Sequence, residues 1–252
     1  MEIGFFQSDL LWEDTEGNLA HFEEKIAGLK SLPNILFLPE MFNTGFSMKV
    51  AEPPNYITQK WLQQMAARYN ICIAGSYAVK VGTSKRNRFL WAFPDQESQF
   101  YDKKHLFSRG NEQLTFEPGT ERKLISHQNM LFLPQVCYDL RFPVWARNTA
   151  PNYDAIVYVA SWPERRIEHW KALLRARAIE NQCYVIGVNR LGSDGNGLHY
   201  TGQSTLIRYD GEIILDAKTT DGYFNSQLSK PELLAFRKHY NFLSDQDMFT
   251  LK

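Results

Sequence analysis

Pro33-Asn34-Ile35-Leu36-Phe37-Leu38-Pro39-Glu40 decides how this chain folds. Four apolar residues between two prolines are too few for a helix and read as a short buried strand. On the N-terminal side, Leu19, Phe22, Ile26 and Leu29 fall at i, i+3, i+7 and i+10, one face of a helix that begins near Thr15 and is ended by Pro33. Residues 2–7 before it read as a strand. On the C-terminal side, Ile57, Trp61, Met65 and Tyr69 mark a second one-faced helix, and Ile71-Cys72-Ile73-Ala74-Gly75 a further strand. Strand, helix, strand, helix, strand predicts α/β layering.

Farther out, residues 86–93 and 98–102 read as a hairpin around Pro94-Asp95. Residues 130–136 read as a strand whose Pro134 suits an edge or a bulge better than a central ladder. Phe142-Pro143 can open a helix, since proline fits a first turn. Residues 154–160 are a buried strand, and Ile167, Trp170, Leu174 and Ala178 form a third amphipathic face. Residues 183–188 are another strand, and 199–208 with 212–216 form a hairpin around Asp210-Gly211. No shift of composition marks a linker, so a single domain over 1–252 is expected.

Composition narrows the function. Lys plus Arg is 28 and Asp plus Glu is 28, a net charge of zero. That argues against a partner held by bulk electrostatics, whether nucleic acid or an anionic membrane surface. Three cysteines cannot build a disulfide framework. The N-terminus lacks a basic n-region and a long apolar h-region. The longest apolar runs, near 35–38 and 155–160, fall far short of a membrane span. A reduced, soluble, cytoplasmic protein is the expectation. The six histidines, at 21, 105, 127, 169, 199 and 239, form no ligand-spaced pair, so neither a metal nor another cofactor is expected. Nucleophile-elbow, phosphate-loop and zinc-protease signatures are absent, and the glycine-rich 192–197 reads as a hairpin or surface loop.

Polar residues placed directly after apolar strands carry the chemistry. Glu40 follows Leu36-Phe37-Leu38-Pro39; a carboxylate there either caps a turn or works as a base. Cys137, in Gln135-Val136-Cys137-Tyr138-Asp139-Leu140-Arg141-Phe142-Pro143, sits between a strand and a helix opening. Helix amides and nearby cations activate a thiol, while a buried cysteine is otherwise a small hydrophobe. Cys72 and Cys183 lie inside apolar runs and read as that hydrophobe. Tyr101-Asp102-Lys103-Lys104-His105 is by itself a solvated basic stretch. Arg177 and Glu180, three apart on a helix, read as a structural ion pair.

Together these segments resemble the nitrilase superfamily of carbon–nitrogen hydrolases, which carries a Glu–Lys–Cys triad in this chain order. Glu40 in Leu-Pro-Glu-Met-Phe, Lys103 in Tyr-Asp-Lys-Lys-His-Leu-Phe and Cys137 in Val-Cys-Tyr-Asp-Leu-Arg-Phe-Pro match its motifs. Asn111-Glu112 with Glu117-Pro118-Gly119 is similar to the segment bearing the family's second active-site glutamate, here Glu112. Ala160-Ser161-Trp162-Pro163, Arg175 to Asn181 and Gly202-Gln203-Ser204 match later blocks, so the likeness spans about 2–216 and leaves 217–252 as a C-terminal extension.

The resemblance implies an α-β-β-α sandwich, a homodimer paired through helical faces, and covalent amide hydrolysis. Cys137 would be the nucleophile, Glu40 the base, and Lys103 with the Tyr138 N–H the oxyanion donors. Glu112 would orient Lys103 or the substrate. Asp139 and Arg141 would brace the turn, or Arg141 would face the substrate. The run after Cys137, with Asn43-Thr44-Gly45-Phe46-Ser47 after Glu40, looks most like the omega-amidase branch. Its substrates are small 2-oxo dicarboxylic monoamides. Phe42, Phe46, Trp162 and Tyr200 would wall the pocket, and Arg141, Arg165 or Arg166 would pair a carboxylate. An N-carbamoyl amino acid hydrolase with the same triad, or an idle family member kept as an interaction module, are the alternatives.

Overall fold

In a computed structural model that describes residues 1–250, the chain forms two six-stranded sheets. The opening units are β1 (Glu2–Gln7), α1 (Thr15–Ala27), β2 (Ile35–Phe37), α2 (Ile57–Tyr69) and β3 (Cys72–Val81). β1, β2 and β3 are parallel neighbours, and the two helices are the crossovers that parallel strands require. Asp14 starts α1 by accepting from the Gly17 N–H at 2.9 Å, and Asn70 ends α2 in the left-handed region at φ 54°. β4 (Ser84–Ala92) and β5 (Gln99–Asp102) continue antiparallel, giving the order β5-β4-β3-β2-β1.

The second half repeats the scheme. β6 (Ile125–His127) pairs with β7 (Met130–Val136); α3 (Pro143–Ala146), β8 (Ala155–Ala160), α4 (Ile167–Asn181) and β9 (Tyr184–Asn189) follow. β7, β8 and β9 are parallel. β10 (Leu191–Ser193) and β11 (His199–Thr201) form a separate hairpin whose loop is the glycine-rich stretch. β12 (Thr205–Ile207) and β13 (Ile213–Asp216) complete the second sheet. The expected strand 199–208 is thus two strands, split where Gly202 takes φ +74° and where a Cβ would meet the Gln7 side chain at 2.3 Å. Pro134 lies beyond the reach of β6, which pairs only Met130–Phe132, so its missing N–H costs no bond on that side.

Strand alternation sorts the core into layers. Ile35 and Phe37 of β2 face the second sheet, while Leu36 and Leu38 pack under α1 and α2 with Phe22, Trp61 and Leu62. Trp91 of the first sheet meets Phe132 of the second at 5.2 Å between ring centres. On the far side, α4 lies close to β9: a Cβ at Gly187 would meet Leu174 Cδ1 at 2.5 Å and Trp170 at 2.9 Å. The result is an α-β-β-α sandwich, as the resemblance implies.

The core does not stop at residue 216. β14 (Gly222–Gln227) pairs along all six residues of β1, and Leu228 receives the N-terminal ammonium on its carbonyl at 2.9 Å. β1 would otherwise expose an unpaired edge. α5 (Lys230–His239) then docks: Arg237 donates to the carbonyls of Gln182 and Tyr153, and Lys230 pairs with Asp154 at 2.9 Å. Within the expected extension 217–252, whose last two residues lie outside the described ones, Gly222–Gln227 therefore supplies a strand of the first sheet. Among the described residues no helix is long and apolar enough to cross a membrane.

Candidate active site

Glu40 follows β2, Lys103 follows β5, Cys137 follows β7 and Ser161 follows β8. Parallel strands deliver their carboxyl ends to one rim of the sandwich, which is where an open α/β sheet places its site. Sixty-three residues of chain separate Glu40 from Lys103, yet Lys103 Nζ lies 2.9 Å from Glu40 Oε1. Glu112, in a single tight turn at 112–114, takes the same ammonium on both oxygens at 3.0 and 2.9 Å. All three side chains have no exposed surface.

Amide and backbone donors take most of the remaining lone pairs and leave one on Glu40 Oε2 free. Asn87 Nδ2 donates to Glu40 Oε1 at 2.9 Å and to Glu112 Oε1 at 3.1 Å. The Ser161 N–H donates to Glu40 Oε2 at 2.8 Å, and the Phe107 N–H to Glu112 Oε2 at 2.6 Å. Asn87 was not singled out from sequence. The signal existed, because it shares a face of β4 with buried Phe89 and Trp91, where a polar residue needs a partner.

Burial alone would lower Lys103, but Glu112 and Glu40 more than offset it and hold the ammonium above its ordinary range. Burial likewise raises Glu112, with the Lys103 charge pulling back and Glu40 adding to the rise. The Cys137 thiol is pushed well up, first by burial and then by Glu40, against the pull of Lys103. It rests as a neutral thiol beside a carboxylate that can take its proton.

Cys137 adopts φ 44°, a conformation that costs a non-glycine residue about 1 kcal/mol or more. Asp139 holds that turn. It accepts from the Val136 N–H at 3.0 Å, the Tyr101 hydroxyl at 2.8 Å and the His105 N–H at 2.9 Å, with His105 Nδ1 at 2.8 Å. Arg177 adds a bond to the Leu140 carbonyl at 2.6 Å while pairing with Glu180 at 2.8 Å. Residues 137–141 form a tight helical turn, so Tyr138 N–H is among the first-turn amides that lack an internal acceptor.

A narrow pocket of about 30 Å³ opens over the thiol. Tyr138, Arg141, Trp162, Phe46, Arg166 and Tyr200 are among the residues that line it. Arg141 lines this space, 4.8 Å from the Trp162 ring, and the bonds that hold the turn come from Asp139. Two expectations fail. Phe42 is fully buried away from the pocket, edge-on to Phe22 at 5.7 Å and packed on Trp61 at 5.9 Å. Met41 at φ 43° turns the chain there, and Phe46 reaches the pocket instead. Arg165 does not line the pocket; Arg166, one residue on, does, and both line the space adjoining it.

The sequence profile described as carbon-nitrogen hydrolase matches residues 3–225. The chain belongs to the carbon-nitrogen hydrolase family. This carbon-nitrogen hydrolase is 42% identical, over 100% of its own length and 98% of the other's, to a protein of Escherichia coli (strain K12) named omega-amidase YafV. It is 29% identical, over 96% of each, to a Bacillus subtilis (strain 168) protein named 2-oxoglutaramate amidase. Among solved structures, XC1258 from Xanthomonas campestris is described as a CN-hydrolase superfamily protein with an arsenic adduct in the active site. It superposes with a TM-score of 0.97 at 37% identity, covering 100% of this chain and 99% of that one.

Proposed function

We propose that this enzyme hydrolyses the terminal amide of a small 2-oxo dicarboxylic monoamide, of the 2-oxoglutaramate or 2-oxosuccinamate type, to the acid and ammonia through a Cys137 thioester. The observation that carries the reading is a buried Glu40–Lys103–Glu112 cluster behind a neutral thiol, under a pocket whose Arg141 and Arg166 face open space. The names of the Escherichia coli and Bacillus subtilis relatives support the substrate class.

The steps follow from the charges. Cys137 attacks the amide carbon as its proton passes to Glu40. That transfer moves negative charge from the carboxylate to sulfur within one cluster and leaves the cluster's total unchanged. The carbonyl oxygen becomes an oxyanion, met by Lys103 Nζ and the Tyr138 N–H. Glu40 returns the proton to the departing nitrogen, ammonia leaves, and the thioester remains. Glu40 then takes a proton from water, hydroxide adds to the thioester, and collapse expels the sulfur as Glu40 hands the proton back. Glu112 touches no reacting atom; it is a positioning residue that keeps Lys103 charged and aimed.

The substrate's carboxylate pairs with Arg141 or Arg166. An α-ammonium in place of the α-carbonyl finds no carboxylate among the residues lining the pocket. Leaving such a charge desolvated and unpaired costs several kcal/mol, and even ~3 kcal/mol is a discrimination on the order of a hundredfold. The test compares ammonia release from open-chain 2-oxoglutaramate and from glutamine. The expected kcat/KM ratio is at least about two orders of magnitude in favour of the oxo acid. Comparable rates, or preference for an N-carbamoyl amino acid, would refute the substrate class and leave the Cys137 mechanism intact.

The reading extends to assembly and place. Exposed Ile179, Tyr240 and Phe242, which line one apolar hollow beside α4 and α5, offer a surface for pairing two copies. Cys137 and the two other cysteines are free thiols, which suits the reducing cytoplasm.

A further inference from the structure

A second cleft, of about 450 Å³, opens beside the cysteine pocket and is lined by Phe107, Arg109, Tyr138, Arg141, Arg165 and Arg166. It shares Phe107, Tyr138, Arg141 and Arg166 with the pocket, so the two adjoin at a common wall. Four guanidiniums line this cleft and no carboxylate does. Among the described residues none of the four makes an ion pair. On a chain of zero net charge that is a local excess.

Two of the four are held by aromatic faces. Arg141 stacks on Trp162 at 4.8 Å and meets His169 Nδ1 at 3.1 Å, and Arg166 lies 5.1 Å over Phe107. Stacking fixes a guanidinium while leaving edge donors free. These two line both spaces. Arg109 and Arg165 are exposed, line only the outer cleft, and have no part in the hydrolytic steps.

We propose that Arg109 and Arg165 form an outer anion-recruiting site that draws small carboxylates from solution and passes them to Arg141 and Arg166 at the pocket. Like charges lining a cleft with apolar walls raise the local concentration of the opposite ion. Charges at such a rim act on encounter, whereas the inner pair acts on the bound state. The site goes beyond the proposed hydrolysis, since any carboxylate-bearing molecule bound for Cys137 would be drawn by it.

The test alkylates Cys137 in the full-length protein with iodoacetate and with iodoacetamide. Both reagents lose iodide to the same thiol and differ by one negative charge. Cys72 and Cys183 have no exposed surface, so a single label reports Cys137. The readout is the ratio of the two rates in the wild type and in the Arg109→Gln/Arg165→Gln double variant. At low ionic strength the ratio is expected to fall by roughly tenfold in the variant. The gap between the proteins is expected to close near 1 M salt, where screening acts within about 3 Å. If the double variant labels at more than one cysteine, Arg165→Gln alone supplies the same comparison with a smaller fall. Equal ratios in variant and wild type at low salt, or a fall that high salt leaves in place, would overturn the proposal. No amide substrate is involved, so this result and that of the ammonia assay can fail separately.

Discussion

Replacing Glu112 by Gln tests the division of labour inside the buried cluster. The carboxylate binds Lys103 with both oxygens, at 3.0 and 2.9 Å, and also accepts from Phe107 N–H and Asn87. A glutamine keeps the shape but loses the charge, and one of its two ends becomes a donor facing an ammonium. Removing one partner of a buried ion pair costs about 3–5 kcal/mol. The lower end applies here, because Glu40 still faces Lys103 at 2.9 Å. At about 3 kcal/mol, Tm should fall by roughly 6–12 °C for a chain of this size.

The catalytic loss has a different origin. With Glu112 neutral, Lys103 leans on Glu40 alone, so the base is tied up and the oxyanion donor is displaced. Loss of one such donor costs about a hundredfold to a thousandfold in kcat. KM should move little, since Glu112 does not line the pocket. The assay is steady-state ammonia release across pH, with circular dichroism and thermal melts on the same preparation. The variant's high-pH limb should move to lower pH, because the ammonium of Lys103 loses the carboxylate that offsets its burial most. A variant with kcat within about fivefold of wild type, or one that loses only KM, would refute the positioning role.

Cys137→Ala should abolish turnover and leave the melting curve near that of the wild type. Cys72→Ala and Cys183→Ala should lower Tm while keeping kcat, because both thiols are fully buried in the core. Burial pushes Cys72 up to about 11 and Cys183 up to about 12. A thiol that holds its proton more tightly when folded lends stability that is complete below the unfolded value of about 8.5 and is lost as pH rises through the folded one. Tm should therefore fall from about pH 8.5 to pH 11, with a shallower slope in Cys72→Ala/Cys183→Ala; an unchanged slope would count against the assignment.

The element order was legible because it rests on local pattern. The apolar run between Pro33 and Pro39, the one-faced helices beside it and the polar residues that end three strands are all properties of neighbouring residues. β14 escaped notice because Gly222–Gln227 is a half-exposed edge strand held by backbone bonds to β1, with little apolar alternation to betray it. Glu40, Lys103 and Cys137 were each visible beside their strands and Glu112 through the family resemblance, but Asn87 and the Ser161 N–H were not, since nothing local says which carboxylate they will meet.

By itself, then, the sequence determined the α/β alternation, the kinds of residue at the strand ends and the family they resemble. Only the tertiary structure decided which side chains share a space. Phe42 and Phe46 are four apart, and Arg165 and Arg166 adjacent, yet one of each pair reaches the thiol's pocket and the other does not. Backbone turns at Met41, Gly45 and Phe46, all with positive φ, set those directions for the first pair. Such turns are fixed by what packs against them. Arg190, with no exposed surface, binds the Gly45 carbonyl at 3.0 Å across 145 residues of chain, a contact that exists only once both sheets have closed.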